Sequence, residues 1–110
     1  MEKIYNKLVR DNIPDIIIKD NCIPITRILC DEDYKKELEK KLLEEYNEVL
    51  STTNTESRIE ELADMLEIIK ALAILENKTL DDINKVAEQK KLIRGGFENR
   101  IFLEKVIDNK

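Results

Sequence analysis

The chain's two prolines stand at 14 and 24 and its two glycines side by side at 95 and 96, so the 70 residues from Ile25 to Arg94 pass without either. A stretch that long without a breaker suits long helices and is foreign to a many-stranded sheet, whose tight turns draw on both residues. The spacing predicts an all-α fold, a helical bundle of long antiparallel helices. At 110 residues the mass suffices for one core, which makes residues 1–110 a single domain.

Helix limits follow from capping chemistry. Asn12-Ile-Pro14 suits the entry to a short helix through about Lys19, with proline in the first turn. Asp31 or Asp33 opens a helix to about Leu50 with Leu38, Leu42 and Val49 on one stripe, and the polar run 51–55 ends it. Ser57-Arg-Ile-Glu60 fits a capping box for a second long helix to about Glu76. Asn77 and Lys78 then turn the chain into Thr79-Leu-Asp-Asp82, which caps a third helix reaching about Ile93. Outside this block, Ile23 to Leu29 is rich enough in β-branched residues for a short strand. Residues 100–106 are its expected antiparallel partner, a small two-stranded element from the terminal segments.

Between Leu62 and Leu75 eleven of fourteen residues are apolar, the exceptions being Asp64, Glu67 and Lys70. A helix apolar nearly all round must be covered nearly all round, and three other helices in so short a chain scarcely do that. The expectation is a homo-oligomer, dimer or tetramer, with this helix inside it.

Composition narrows the chemistry. Histidine is absent, which removes Ser-His-Asp and Cys-His nucleophiles and every metal site that needs imidazole. The two cysteines, Cys22 and Cys30, cannot complete a thiolate site and read as reduced packing or loop residues. A net charge of −5 argues against a sequence-independent grip on nucleic acid. No apolar run approaches the roughly 20 residues of a membrane span, and no apolar signal core follows the first Met, so the expected setting is the cytoplasm, with no membrane partner.

Carboxylates remain. Continuing the stripe of Leu38 and Leu42 by three places Glu45 on the core face, and Glu48 follows one turn along; Glu61 and Asp64 repeat that spacing on the next helix. With a loop centred near 54.5, residues whose numbers total 109 stand level, which sets Glu45 beside Asp64 and Glu48 beside Glu61. Four like charges in a partly dry cleft repel, and a hard divalent cation relieves them. Oxygen-only ligands favour Mg²⁺, with Mn²⁺ as a substitute, over Zn²⁺, and argue against a di-iron bundle. Glu44 and Glu60 read as solvated surface, and Tyr46 as core or interface.

The pattern Glu44-Glu45-x-x-Glu48, then Glu61-Leu-Ala-Asp64, resembles the metal motif of the all-α nucleoside triphosphate pyrophosphohydrolases, the MazG-like superfamily. The opening Tyr5-Asn-Lys-Leu-Val-Arg-Asp11 with Ile13-Pro14, and the closing Lys90-Lys-Leu-Ile-Arg94-Gly-Gly-Phe97, look like a small-protein branch related to phosphoribosyl-ATP pyrophosphohydrolase. The resemblance implies Mg²⁺-dependent cleavage of a nucleotide substrate between its α and β phosphates, giving a monophosphate and pyrophosphate. It implies Glu45, Glu48, Glu61 and Asp64 as ligands, and house-cleaning of noncanonical nucleotides as one use. The general base would be one of these four, Glu48 and Glu45 being taken first.

Lys90 and Arg94 share a helical face just before the double glycine. They fit phosphate contact and fit equally a helix stop whose cations compensate the C-terminal dipole; the family pattern favours the first. Substrate contact for Lys7 and Arg10 rests on the resemblance alone. The rivals are phosphoribosyl-ATP hydrolysis and, in another class, a non-catalytic helical oligomerisation or antitoxin-like module.

Overall fold

The computed structural model describes residues 1–108. Four helices follow in order: α1 (Ile13–Lys19), α2 (Asp31–Ser51), α3 (Thr55–Leu75) and α4 (Leu80–Arg94). The all-α fold is as the breaker-free stretch predicts.

Local chemistry accounts for most of the ends. Pro14 sits in the first turn of α1, and α2 opens on Asp31, Glu32 and Asp33, three carboxylates at the positive end of its dipole. Thr79 and Asp82 exchange the two bonds of a capping box at α4: the Asp82 amide donates to Thr79 Oγ1 at 3.3 Å and the Thr79 amide to Asp82 Oδ2 at 2.9 Å. Donation from the Thr79 amide, and from the Thr79 hydroxyl at 3.1 Å, holds the Asp82 carboxyl below its ordinary 3.8.

Both α1 and α3 end in the same way, on an asparagine in the left-handed region. Asn77 (φ 58°) donates to the Ile74 carbonyl and Lys78 to that of Ala73. Asn21 (φ 60°) and Cys22 donate likewise to Ile18 and Ile17. These are the paired bonds of a Schellman motif, with asparagine standing where glycine is commonest. The chain has no glycine before residue 95, and asparagine is among the few other residues that tolerate this backbone.

Two expectations fail. The cap of α3 is not Ser57 but Asn54, whose side-chain oxygen accepts from the Ser57 amide at 2.9 Å, so the cap lies three residues earlier. With Asn54 as the cap, Ser57 is the third helical residue, whose otherwise unpaired amide an N-cap side chain satisfies. The two-stranded element is also absent: among the described residues there is no strand, and 23–29 and 101–106 run without sheet pairing. Ile23, Ile25 and Ile28 remain exposed, so β-branching there finds no second strand to pack on.

The link between α2 and α3 is only residues 52–54, which forces two 21-residue helices into an antiparallel hairpin. Val49's carbonyl fastens its end, accepting from Thr52 Oγ1 at 2.7 Å and from Arg58 Nη1 at 3.2 Å. Leu38 and Val49 of α2 and Ile68 of α3 are buried. Ala73 is buried where α4, which packs on α3, joins the hairpin. No helix among the described residues is long and apolar enough to cross a membrane.

Candidate metal centre

On α2 the buried stripe runs Leu38, Glu45, Val49, and on α3 it runs Glu61, Asp64, Ile68. The carboxylates interrupt the apolar seam of the hairpin, as the sequence pattern predicts for Glu45. The three are half-buried, and one oxygen from each lies within 4.8 Å of one another.

Burial is the first cause that lifts the Glu45 carboxyl above its ordinary 4.5. A side-chain hydrogen bond with Glu61 and the charges of Asp64 and Glu61 push the same way, and Lys41 draws part of it back. A bond between two carboxyls forms only where one of them holds a proton, so a proton and a cation are the two ways in which the cluster's self-repulsion is relieved.

Glu48 stands apart from this group and is exposed. The link 52–54 is centred on residue 53, not near 54.5, so level residues total 106 and Glu45 stands beside Glu61. The level of Glu48 then belongs to Arg58. In addition, a step of three positions leaves Glu48 about 60° round the helix from Glu45. Three of the four expected carboxylates therefore converge, with Glu45 shared between Glu61 and Asp64.

Arg10 is brought to the same place. Its Nη2 lies 2.7 Å from Asp64 Oδ1 across 54 positions of sequence, and both side chains keep substantial exposure. No local spacing signals that contact. The guanidinium gives Asp64 a counter-ion and ties the opening segment to α3.

The remaining candidates lie elsewhere. Lys7 rests its ammonium 5.4 Å from the centroid of the Tyr5 ring and is exposed. Lys90 and Arg94 are exposed on α4, which ends on Gly95 at φ 82°, its amide donating to the Lys91 carbonyl at 2.8 Å. That backbone is one a side chain would strain, so Gly95 does stop the helix, with Lys91 and Arg94 in the last turn. Glu44 pairs with Lys41 at 3.8 Å on the surface, and Cys22 and Cys30 are exposed free thiols outside the helices.

Comparison with protein-family models, with curated proteins and with solved structures finds no match.

Proposed function

We propose that the chain is a Mg²⁺-dependent nucleoside triphosphate pyrophosphohydrolase, converting a triphosphate and water to a monophosphate and pyrophosphate. One observation carries the reading: carboxylate oxygens of Glu45, Glu61 and Asp64, from two helices, lie within 4.8 Å of one another in a half-buried seam. The sequence motifs around them supply the reaction.

The donor set fits a hard cation. It is oxygen-only, its burial and then its own like charges raise Glu45's affinity for a proton, and it offers neither sulfur nor imidazole. Glu45, Glu61 and Asp64 would hold Mg²⁺, with Mn²⁺ as a substitute. Such an ion, when bound, supplies polarisation of phosphate oxygens and a bound water of lowered pKa. The proton affinity of Glu45, raised by burial first and then by its neighbours, suits it to accept a proton from an attacking water. Glu48, exposed one turn along α2, keeps a catalytic part on the family pattern alone. Arg10, paired with Asp64, would contact phosphate on leaving it. Lys90 and Arg94 are assigned to phosphate as well, on the family pattern. A nucleotide hydrolase of this kind belongs in the cytoplasm, where its substrates and Mg²⁺ are.

A non-catalytic helical module is the second reading, and the Arg10–Asp64 pair favours it, because it leaves one of the three carboxylates already neutralised. The deciding experiment is a pyrophosphate-release screen over canonical and modified nucleotides, phosphoribosyl-ATP included, with Mg²⁺ present. The expected result is equimolar monophosphate and pyrophosphate from at least one triphosphate, lost in Glu45→Gln and Asp64→Asn. No release from any nucleotide, together with a melting temperature that ignores Mg²⁺, would leave the module standing.

A further inference from the structure

Among the described lysines only Lys41 and Lys70 are half-buried, and Lys41 is the less exposed, its side chain at 23% against 44%. Lys70 stands about 160° round α3 from the buried Ile68 and so faces away from α2. Lys41 belongs to the seam. It lies about 60° round α2 from the buried Leu38, and Asp64 lies about 40° round α3 from Ile68 in the same rotational sense. Because the helices are antiparallel, equal senses of rotation open toward one side of the hairpin. The register that sets Glu45 beside Glu61 sets Lys41 beside Met65, next to Asp64 in sequence. Glu45 is the i+4 neighbour of Lys41, with β-carbons about 5–6 Å apart.

An ammonium held there does little for the fold. Its pair with Glu44 is long, 3.8 Å between neighbours one turn apart on the same helix, and such a pair returns little for the rotamer freedom that a partly buried stem gives up. Its charge acts across the cluster instead, drawing down the carboxyl that burial and like charges raise at Glu45.

We propose that Lys41 is a phosphate-binding residue of this site, its ammonium donating to a non-bridging oxygen of the substrate's phosphate chain beside Glu45, Glu61 and Asp64, a role that rests on the pyrophosphohydrolase function proposed above. A triphosphate carries more negative charge than one divalent ion offsets, so a fixed cation at the rim of the ion's ligands lowers the cost of bringing the chain in. The buried stem holds the ammonium at that rim before substrate arrives, and three rotatable donors on a compact charge suit an oxygen whose direction changes as the chain is cleaved. Without an ion on the three carboxylates their charge repels phosphate, so Lys41 binds it only when the cluster is neutralised.

The test is calorimetric titration of inorganic pyrophosphate into the protein with Mg²⁺ in excess, beside titration of Mg²⁺ alone. Methionine keeps the apolar stem and the helix and removes only the charge. Lys41→Met should weaken pyrophosphate binding at least about tenfold, the loss of one charge-assisted hydrogen bond, and Lys41→Gln should match it. Mg²⁺ alone should bind both variants no more weakly than the wild type, because a like charge has left its surroundings. Lys41→Arg should restore most of the pyrophosphate affinity. Lys36→Met, 69% exposed and about 160° round α2 from Leu38, should leave both titrations unchanged. If the two neutral variants lose Mg²⁺ binding and helical circular dichroism together with pyrophosphate, Lys41 is structural and the inference is overturned. An equal weakening in Lys36→Met makes the effect one of net charge and overturns it as well. Unchanged pyrophosphate affinity in Lys41→Met overturns it and leaves the proposed hydrolase standing, whereas a wild type that takes up no pyrophosphate with Mg²⁺ present overturns both. Pyrophosphate binding that depends on Lys41 in a protein that cleaves no nucleotide upholds the phosphate site and removes the hydrolase.

Discussion

Glu45→Gln should stabilise the metal-free protein and abolish its response to Mg²⁺, two effects of opposite consequence from one substitution. In the wild type the Glu45 carboxylate lies within 4.8 Å of those of Glu61 and Asp64. At that separation each like-charge pair costs about 0.9 kcal/mol in the limit of bulk water. Physiological salt, with a Debye length of about 8 Å, roughly halves this, so the two pairs together come to about 1 kcal/mol. Glutamine keeps the volume and the helix while removing both repulsions. For a chain of this length the melting temperature without metal should rise by roughly 4–8 °C, and the gain should shrink in 1 M NaCl. The pH dependence has a definite sign. Glu45 binds its proton more tightly when folded than its ordinary 4.5, so the folded state holds more protons in the window that opens there. Its stabilising share is complete below 4.5 and is lost as pH rises through the raised folded value; the Gln variant lacks this decline. Millimolar Mg²⁺ should raise the wild-type melting temperature at pH 7 and leave the variant's unmoved. Thermal scans with and without Mg²⁺ across pH 4–8 read all of this. A variant that melts lower than wild type without metal, or that answers Mg²⁺ as the wild type does, would refute the repelling cluster.

Arg10→Ala removes the counter-ion of Asp64, so Mg²⁺ should bind several-fold tighter by titration calorimetry even as turnover falls. Lys90→Ala and Arg94→Ala should lower kcat/KM while keeping the Mg²⁺-induced rise in melting temperature; full turnover in Arg94→Ala would make the pair a helix end only. Leu38→Ala opens the seam beneath the cluster and should cost roughly 2–5 kcal/mol in urea unfolding at a fixed protein concentration.

What the sequence determined by itself is whatever neighbours along the chain decide. Seventy residues without glycine or proline favour long helices, which fill most of that stretch from Asp31 on, and Thr79 with Asp82 closes a box within one turn. Glu45, Glu61 and Asp64 were legible as core-face carboxylates because helical spacing sets them among Leu38, Val49 and Ile68, and a short link brings the two stripes together. Tertiary structure alone decided the rest. Moving the cap of α3 from Ser57 to Asn54 shifts the hairpin's midpoint and sets Glu45 level with Glu61, while Glu48, about 60° round α2, stays outside the cluster. The strand propensity of residues 23–29 came to nothing because a strand needs a partner that the fold does not bring to it. Arg10 reaches Asp64 across 54 positions, a contact that no local pattern encodes, since it depends on where the whole opening segment is laid against α3.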